Sequence, residues 1–358
     1  MNYKIYQWKE IESIFLNSNI LLGNGASIAV NNSFNYQSLR EIANSSNLIH
    51  EDEENLFQFF ETNDFEQILK IVWQANNVNK ILKVADKKTQ DIYHKIRDSL
   101  IRAVHNIHPN YSSIVDDIEK ISNFLKKFKI IVSLNYDLIV YWSILYPNEE
   151  NNIFTDCFLY GKFDFDKKNF CRLYNNKIKV FYPHGNLILA YDKILNEVKL
   201  QANSDNLIQS ITDKWESENY NPLFISEGDS QQKVNAIQRS NYLNTVYRNI
   251  LPRLATKSTL NYVYQYQIEP STIIGNTRYI RICKTLVIYG FGFGKQDVHI
   301  LNQILNTLPL FRITCVAISV FNNDEEYCNN VILTLRKYRK NLHIFFFDSQ
   351  SSGCWNNA

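Results

Sequence analysis

Six short runs, mainly of branched and aromatic residues, recur along this chain at 18–22, 130–134, 179–182, 285–289, 313–320 and 342–347, and helical spacing fills much of the sequence between them. Runs that are apolar throughout, rather than alternating, read as strands buried on both faces. That is the situation of a parallel sheet covered by helices. Strands alternating with helices predict an α/β fold, a doubly wound Rossmann-like parallel sheet. In such a sheet every strand ends at the same edge, so the residues following the strands converge on one cleft. Four of the six runs carry tails that are polar or rich in glycine.

The first tail is Gly23-Asn24-Gly25-Ala26-Ser27, directly after Ile20-Leu21-Leu22. Strand, glycine turn and helix start together offer backbone N–H groups to a pyrophosphate. The third glycine of G-x-G-x-x-G is absent, so by itself the turn reads first as an ordinary strand-to-helix connection. The second tail, Asn135-Tyr136-Asp137, follows Ile130 to Leu134 and passes into a helix over 138–145. In isolation it reads as an Asx turn that caps that helix. The third is Pro183-His184-Gly185-Asn186. The fourth is Gly290-Phe291-Gly292-Phe293-Gly294, with Asp297 and His299 just beyond. A lone histidine after a strand is often structural, but four such tails in one sheet make a constellation.

Between the first two strands, residues 48–128 hold one proline, Pro109, and no glycine. Leu56, Phe59, Phe60, Phe65, Ile68, Leu69, Val72 and Trp73 recur at helical spacing. The expectation is a single domain over 1–358 with an inserted helical layer at about 40–128 and a second helical segment at about 200–262, interrupted at Asn221-Pro222 and Glu227-Gly228-Asp229. Residues 5–16 read as a short helix, and Glu51-Asp52-Glu53-Glu54 as the acidic first turn of another. The asparagine-rich tract 147–178 contains strand-like pieces without a clear assignment.

Composition narrows the chemistry. With 45% hydrophobic and 14% aromatic residues the chain has ample material for a core. Thirty-eight basic residues against 36 acidic ones leave a net charge of +2, which gives no electrostatic case for direct nucleic-acid binding. The basic clusters 126–129 and 336–340 read as solvated helix ends. The start lacks the apolar core of a signal peptide, and no run approaches the roughly 20 apolar residues of a membrane-spanning helix. A soluble, cytoplasmic protein is expected. The six cysteines form no C-x-x-C pair, so neither a zinc ribbon nor a dithiol site is indicated, and no metal is expected.

The order of the four tails resembles that of the sirtuins. Gly23-Asn24-Gly25-Ala26-Ser27 is similar to the sirtuin glycine loop, Asn135-Tyr136-Asp137 to the sirtuin N-x-D, His184-Gly185 to its catalytic histidine-glycine pair, and Gly290 onward to its late glycine loop. The variant is most similar to the zinc-free bacterial sirtuin-like proteins that hydrolyse NAD in antiphage defence, which share a G-N-G-A-S loop, a helical F-E segment (here Asp64 to Leu69) and a late G-x-G with D-x-H (here Gly290, Gly292, Asp297 and His299). Two departures stand out. The two C-x-x-C pairs of the sirtuin deacylases are missing, and Phe291 replaces the usual small hydroxyl residue. The resemblance therefore implies a sirtuin-like NAD+ hydrolase, without zinc or any cofactor beyond NAD as substrate, and argues against lysine deacylation.

On that reading Gly23, Asn24, Gly25, Ala26, Ser27, Gly290, Phe291, Gly292 and Asp297 hold the dinucleotide, with loop amides cradling the pyrophosphate. Asn135 orients the ribose hydroxyls and water, and His184 takes a proton as general base. Asp137 either orients Asn135 or the nicotinamide amide, or caps the next helix. The products are nicotinamide and ADP-ribose, and the implied role is the effector of an abortive-infection system. Such an enzyme needs restraint, so a homo-oligomer or an assembly with an infection-sensing partner is expected, through the helical segments. Two alternatives use the same residues: an NAD- or ADP-ribose-binding regulatory module without catalysis, and an ADP-ribosyltransferase.

Overall fold

The runs rich in valine, isoleucine and leucine form a large central sheet in a computed structural model of the chain, which describes residues 3–35, 39–62, 65–146, 153–165, 177–200, 206–217, 219–225, 229–258, 283–307 and 313–358. In chain order the strands are β1 (Ile5–Tyr6), β2 (Asn19–Leu22), β3 (Ile130–Ser133), β4 (Phe154–Thr155), β5 (Phe158–Leu159), β6 (Lys162–Phe163) and β7 (Ile178–Phe181). They continue as β8 (Gly185–Asp192), β9 (Glu197–Lys199), β10 (Tyr220–Phe224), β11 (Thr256–Ser258), β12 (Cys283–Tyr289), β13 (Cys315–Val320) and β14 (His343–Asp348). Eight of these are parallel in the order β1-β14-β13-β12-β2-β3-β7-β4, and β11 runs antiparallel to the start of β12. The sheet is Rossmann-like, as the alternation predicts.

Register explains why the runs are apolar from end to end. Leu21 pairs with Val132 on one side and Ile288 on the other, and Ile20, Leu21, Ile131, Val132, Leu286 and Val287 are all fully buried. Each such side chain contributes about 1.5–3 kcal/mol on leaving water, and helices on both faces leave no solvated side to alternate towards.

The connection from β2 to β3 is the helical layer. It contains helices Leu39–Ser45, Glu51–Phe59, Phe65–Leu82, Lys87–Ile107 and Val115–Leu125. Phe65, Ile68, Leu69, Val72 and Trp73 form one buried face. Phe59 and Phe60 do not join it; they stand exposed where their helix ends. The acidic opening acts as a helix start. Glu53 accepts from the His50 backbone N–H at 2.8 Å, and Glu54 pairs with Arg40 at 2.7 Å.

Three stretches differ from the sequence reading. Residues 5–16 open with β1, whose Ile5 pairs with Phe346 at the sheet edge, and only Trp8–Phe15 is helical. The tract 200–262 holds helices Leu207–Glu216, Ser230–Gln238 and Asn241–Asn249, but also β10 and β11. The chain beyond His184 continues into β8, and β10-β8-β9-β6-β5 form a second, antiparallel sheet. Pro222 lies within a strand because β10 is an edge bonded only to β8, where a missing N–H costs no ladder bond. Asp64, Cys171, Glu227, Gly228 and much of the 147–178 tract lie outside the described residues. Among the described residues no helix is long and apolar enough to cross a membrane.

Candidate functional site

β2 and β12 are neighbours, yet the chain leaves β2 towards β3 on one side and β12 towards β13 on the other. Where connections diverge in this way a crevice opens beyond the carboxyl ends of the strands, the usual place for a ligand in such sheets. Both glycine loops sit there and touch each other. The Gly25 N–H donates to the Gly290 carbonyl at 2.8 Å, the Gly23 N–H to Tyr289 at 2.9 Å, and the Ala26 N–H back to Gly23 at 2.9 Å. A Cβ on Gly23 would stand 2.6 Å from the Gly290 oxygen; one on Gly290, whose φ is +66°, would stand 2.3 Å from the Ala26 nitrogen. Only glycine allows that approach. Three of the amides expected to cradle a pyrophosphate are therefore already paired, two of them across to the end of β12 and one within its own loop. The glycines serve first to bring the strand ends together.

Asn135, at the end of β3, is fixed by its neighbours. Its Nδ2 donates to the Gly23 carbonyl at 3.1 Å and to Ser27 Oγ at 2.7 Å. A carbonyl only accepts, so the amide orientation is determined and Oδ1 remains as the polar group for the cavity. Ser27 Oγ in turn donates to Asp137 Oδ2 at 2.5 Å. The other oxygen of Asp137 accepts from the Ile139 N–H at 2.9 Å, capping helix Ile139–Leu145. Burial raises the Asp137 pKa, and these hydrogen bonds oppose the shift. Asp137 thus holds the first backbone N–H of that helix and reaches Asn135 only through Ser27.

His184 occupies the turn between β7 and β8, where the central sheet hands over to the second one. Gly185 follows with φ +77°, and a Cβ there would lie 2.2 Å from the Leu223 carbonyl oxygen, so glycine lets β8 begin against β10. His184 Nε2 lies 3.0 Å from His299 Nε2. The backbone of Leu134 also bonds the His184 ring, and that of Gln296 the His299 ring, so the donor across the Nε2–Nε2 contact is set by the tautomer. Burial, then the charge of Lys233, then His299, hold the His184 pKa well below its ordinary value. Burial likewise brings His299 down to about 4, Asp297 opposing. Both rings are neutral at physiological pH. Lys233 pairs with Asp297 at 2.9 Å beside them.

Gly23, Asn24, Gly25, Asn135, His184, Gly290, Phe291, Gly292 and Asp297 line one cavity of about 940 Å³. Ala26, Ser27 and Asp137 do not line it; Ala26 and Ser27 are packed in helix Asn24–Val30 behind the loop, where the Ala26 carbonyl accepts from Trp355 Nε1 at 2.8 Å. Several contributors escaped the sequence reading. Lys233 arrives from a helix remote in sequence. Ser319, at the end of β13, accepts from the Gly290 N–H at 2.8 Å, and a polar residue closing an apolar run was its available signal. His108, expected only as part of a helical tract, accepts the Leu138 N–H at 2.9 Å and steadies the Asn135 loop from behind.

The second sheet braces the site. Tyr136 stacks on Phe224 with centroids 5.2 Å apart, and the Ile225 N–H donates to the His184 carbonyl at 2.7 Å. His184, Asp297 and His299 also bring ligand-capable atoms within 4.8 Å of one another. Two imidazoles and a carboxylate suit a zinc-like cation, but such an ion must displace both the histidine hydrogen bond and the Lys233 ammonium.

The chain belongs to the DUF4917 family, a domain of unknown function, whose match covers residues 20–271 and 276–355 and so includes every site residue discussed above. No curated protein matches it.

Proposed function

We propose that this chain is an NAD+ glycohydrolase, cleaving the nicotinamide–ribose bond to give nicotinamide and ADP-ribose. One observation carries the reading: an asparagine with a fixed amide orientation and a neutral histidine open onto one cavity at the switch point of a Rossmann-like sheet. About 940 Å³ lies in the upper part of the roughly 300–1,000 Å³ typical of small-molecule sites. The resemblance of the four strand tails to sirtuin-like NAD hydrolases supports the same substrate.

The bond breaks through a transition state with oxocarbenium character, and water attacks the anomeric carbon as nicotinamide leaves. Asn135 Oδ1 accepts a hydrogen bond from that water or from a ribose hydroxyl. His184, kept neutral by its burial, takes the proton released as the new C–O bond forms. For that its Nε2 must exchange the hydrogen bond with His299 for one from the water. Asp137 acts only as a positioning residue, through Ser27. In this reading the cellular role is NAD depletion as the effector of an antiphage, abortive-infection system, with activity restrained by self-assembly or a partner.

Chromatographic assay of nicotinamide release by the full chain tests the proposal. Asn135→Ala and His184→Ala should each lower turnover by about 10²-fold or more. Equal NAD consumption by folded variants and wild type would sink it. A second reading, a regulatory module that binds NAD or ADP-ribose without chemistry, is favoured by the occupied state of His184 Nε2. It predicts saturable binding with no nicotinamide released.

A further inference from the structure

A second cavity, of about 730 Å³, lies between helix Phe65–Leu82, the antiparallel sheet and the end of helix Ser230–Gln238. Its construction is unlike that of the strand-end cleft. Helix Phe65–Leu82 has two inward faces. The apolar one packs in the core; the other presents Gln67, Lys70, Ile71 and Gln74, at i, i+3, i+4 and i+7, to the cavity. A half-buried polar stripe of this kind gains nothing from core packing.

Three cations meet there, Lys70, Lys162 and Arg239. Among the described residues none of them forms an ion pair, and the one acidic side chain in the wall, Glu197, is engaged in hydrogen bonds of its own. Its Oε1 accepts from Ser240 Oγ at 2.6 Å and its Oε2 from the Tyr242 N–H at 2.7 Å, at the start of helix Asn241–Asn249. Three cations against one carboxylate leave the cavity with a net positive charge, which favours a bound anion. Burial brings the Lys70 pKa down to about 8, with Glu197 opposing and Arg239 adding to the fall. Lys70 Nζ stands 3.8 Å from the centroid of the Tyr191 ring. Tyr191, Phe163 and Phe224 supply an aromatic wall.

We infer that this cavity binds a phosphorylated small molecule carrying a planar ring, a nucleotide-class anion, with Lys162, Arg239 and Lys70 on its phosphates and the aromatic wall against its ring. The inference does not rest on NAD cleavage, because binding is measurable without turnover. The placement also links the site physically to the strand-end cleft. Ile225 lines both cavities, its N–H holds the His184 carbonyl, and Phe224 stacks on Tyr136. Helix Ser230–Gln238 carries Lys233 into the strand-end cleft and Ala236 towards the second cavity, with Arg239 just past its end.

The test is calorimetric titration of the full chain with ATP and, separately, with inorganic pyrophosphate at low salt. Wild type should bind at least one probe, and the double variant Lys162→Glu/Arg239→Glu should weaken that binding at least about tenfold, while Asn135→Ala leaves it unchanged. Both reversed residues are exposed, so the fold should survive; Lys70→Met, which keeps an apolar stem on Tyr191, gives an independent reading of the same loss. Tighter binding of ATP than pyrophosphate assigns a role to the ring, and equal binding assigns the affinity to phosphate alone. Absence of binding by both probes, or binding indifferent to the charge reversal and to Lys70→Met, overturns the inference.

Discussion

The two cavities share a wall at Ile225 and differ in almost everything else. The strand-end cleft is built from backbone and neutral groups: glycines pressed together, an asparagine locked by a carbonyl, and two histidines kept unprotonated by burial. Its charged pair, Lys233 and Asp297, is internally compensated. The second cavity has three cations on flexible side chains against one carboxylate, Glu197, and an aromatic wall. The first arrangement suits orienting a ligand and moving a proton; the second suits attracting an anion. Adjacent recesses of one fold are thus specialised by different physics, rigid hydrogen-bond geometry in one and net charge in the other.

The comparison can be broken at several points. The largest effect should come from Asn135→Ala or His184→Ala, about 10²-fold or more in nicotinamide release with anion binding in the second cavity untouched; loss of both would merge the two sites. Gly290→Ala should come next. It puts a side chain at φ +66° and 2.3 Å from the Ala26 nitrogen, and denaturant titration should read a loss of about 3 kcal/mol.

Acid sensitivity follows. The folded pKa of His299, about 4, lies below its ordinary 6.5, so the unfolded chain takes up the proton first. The stability from this group is complete above its unfolded value and is lost as pH falls towards 4. His299→Gln should therefore lose about 2 kcal/mol less than wild type between about pH 7.5 and about pH 5. His108, also held near 4 by burial, remains to weaken both proteins. The smallest effect belongs to Gly292→Ala. Nothing lies within 4 Å of the added Cβ, and unfolding should shift by less than about 0.5 kcal/mol. A large loss there would show that the late loop is packed as tightly as Gly290.

Much of this was legible in one dimension. Continuous apolar runs signal strands buried on both faces, and Ile130–Ser133, Cys315–Val320 and His343–Asp348 lie close to where the runs placed them. Their polar tails follow from chain direction, so Asn135, His184 and the two glycine loops could be gathered on one edge before any contact was known. The antiparallel sheet was not legible, because Tyr220–Phe224 contains proline and owes its state to pairing with β8. Nor was the use of the loop amides: Gly23 and Gly25 read as phosphate binders until Gly290 occupied the space beside them.

The sequence by itself determined the α/β class, the helical crossover after β2 and the set of residues available at the strand ends, since periodicity and chain direction are local properties. Only the tertiary structure decided that Ser27 and Asp137 stand behind Asn135, that His299 faces His184, and that Lys70, Lys162 and Arg239 share a recess. Ser27, His299 and the three cations stand tens to hundreds of positions from the residues they meet, and hydrogen bonds and charge repulsion depend on distance in space, which spacing along the chain does not encode.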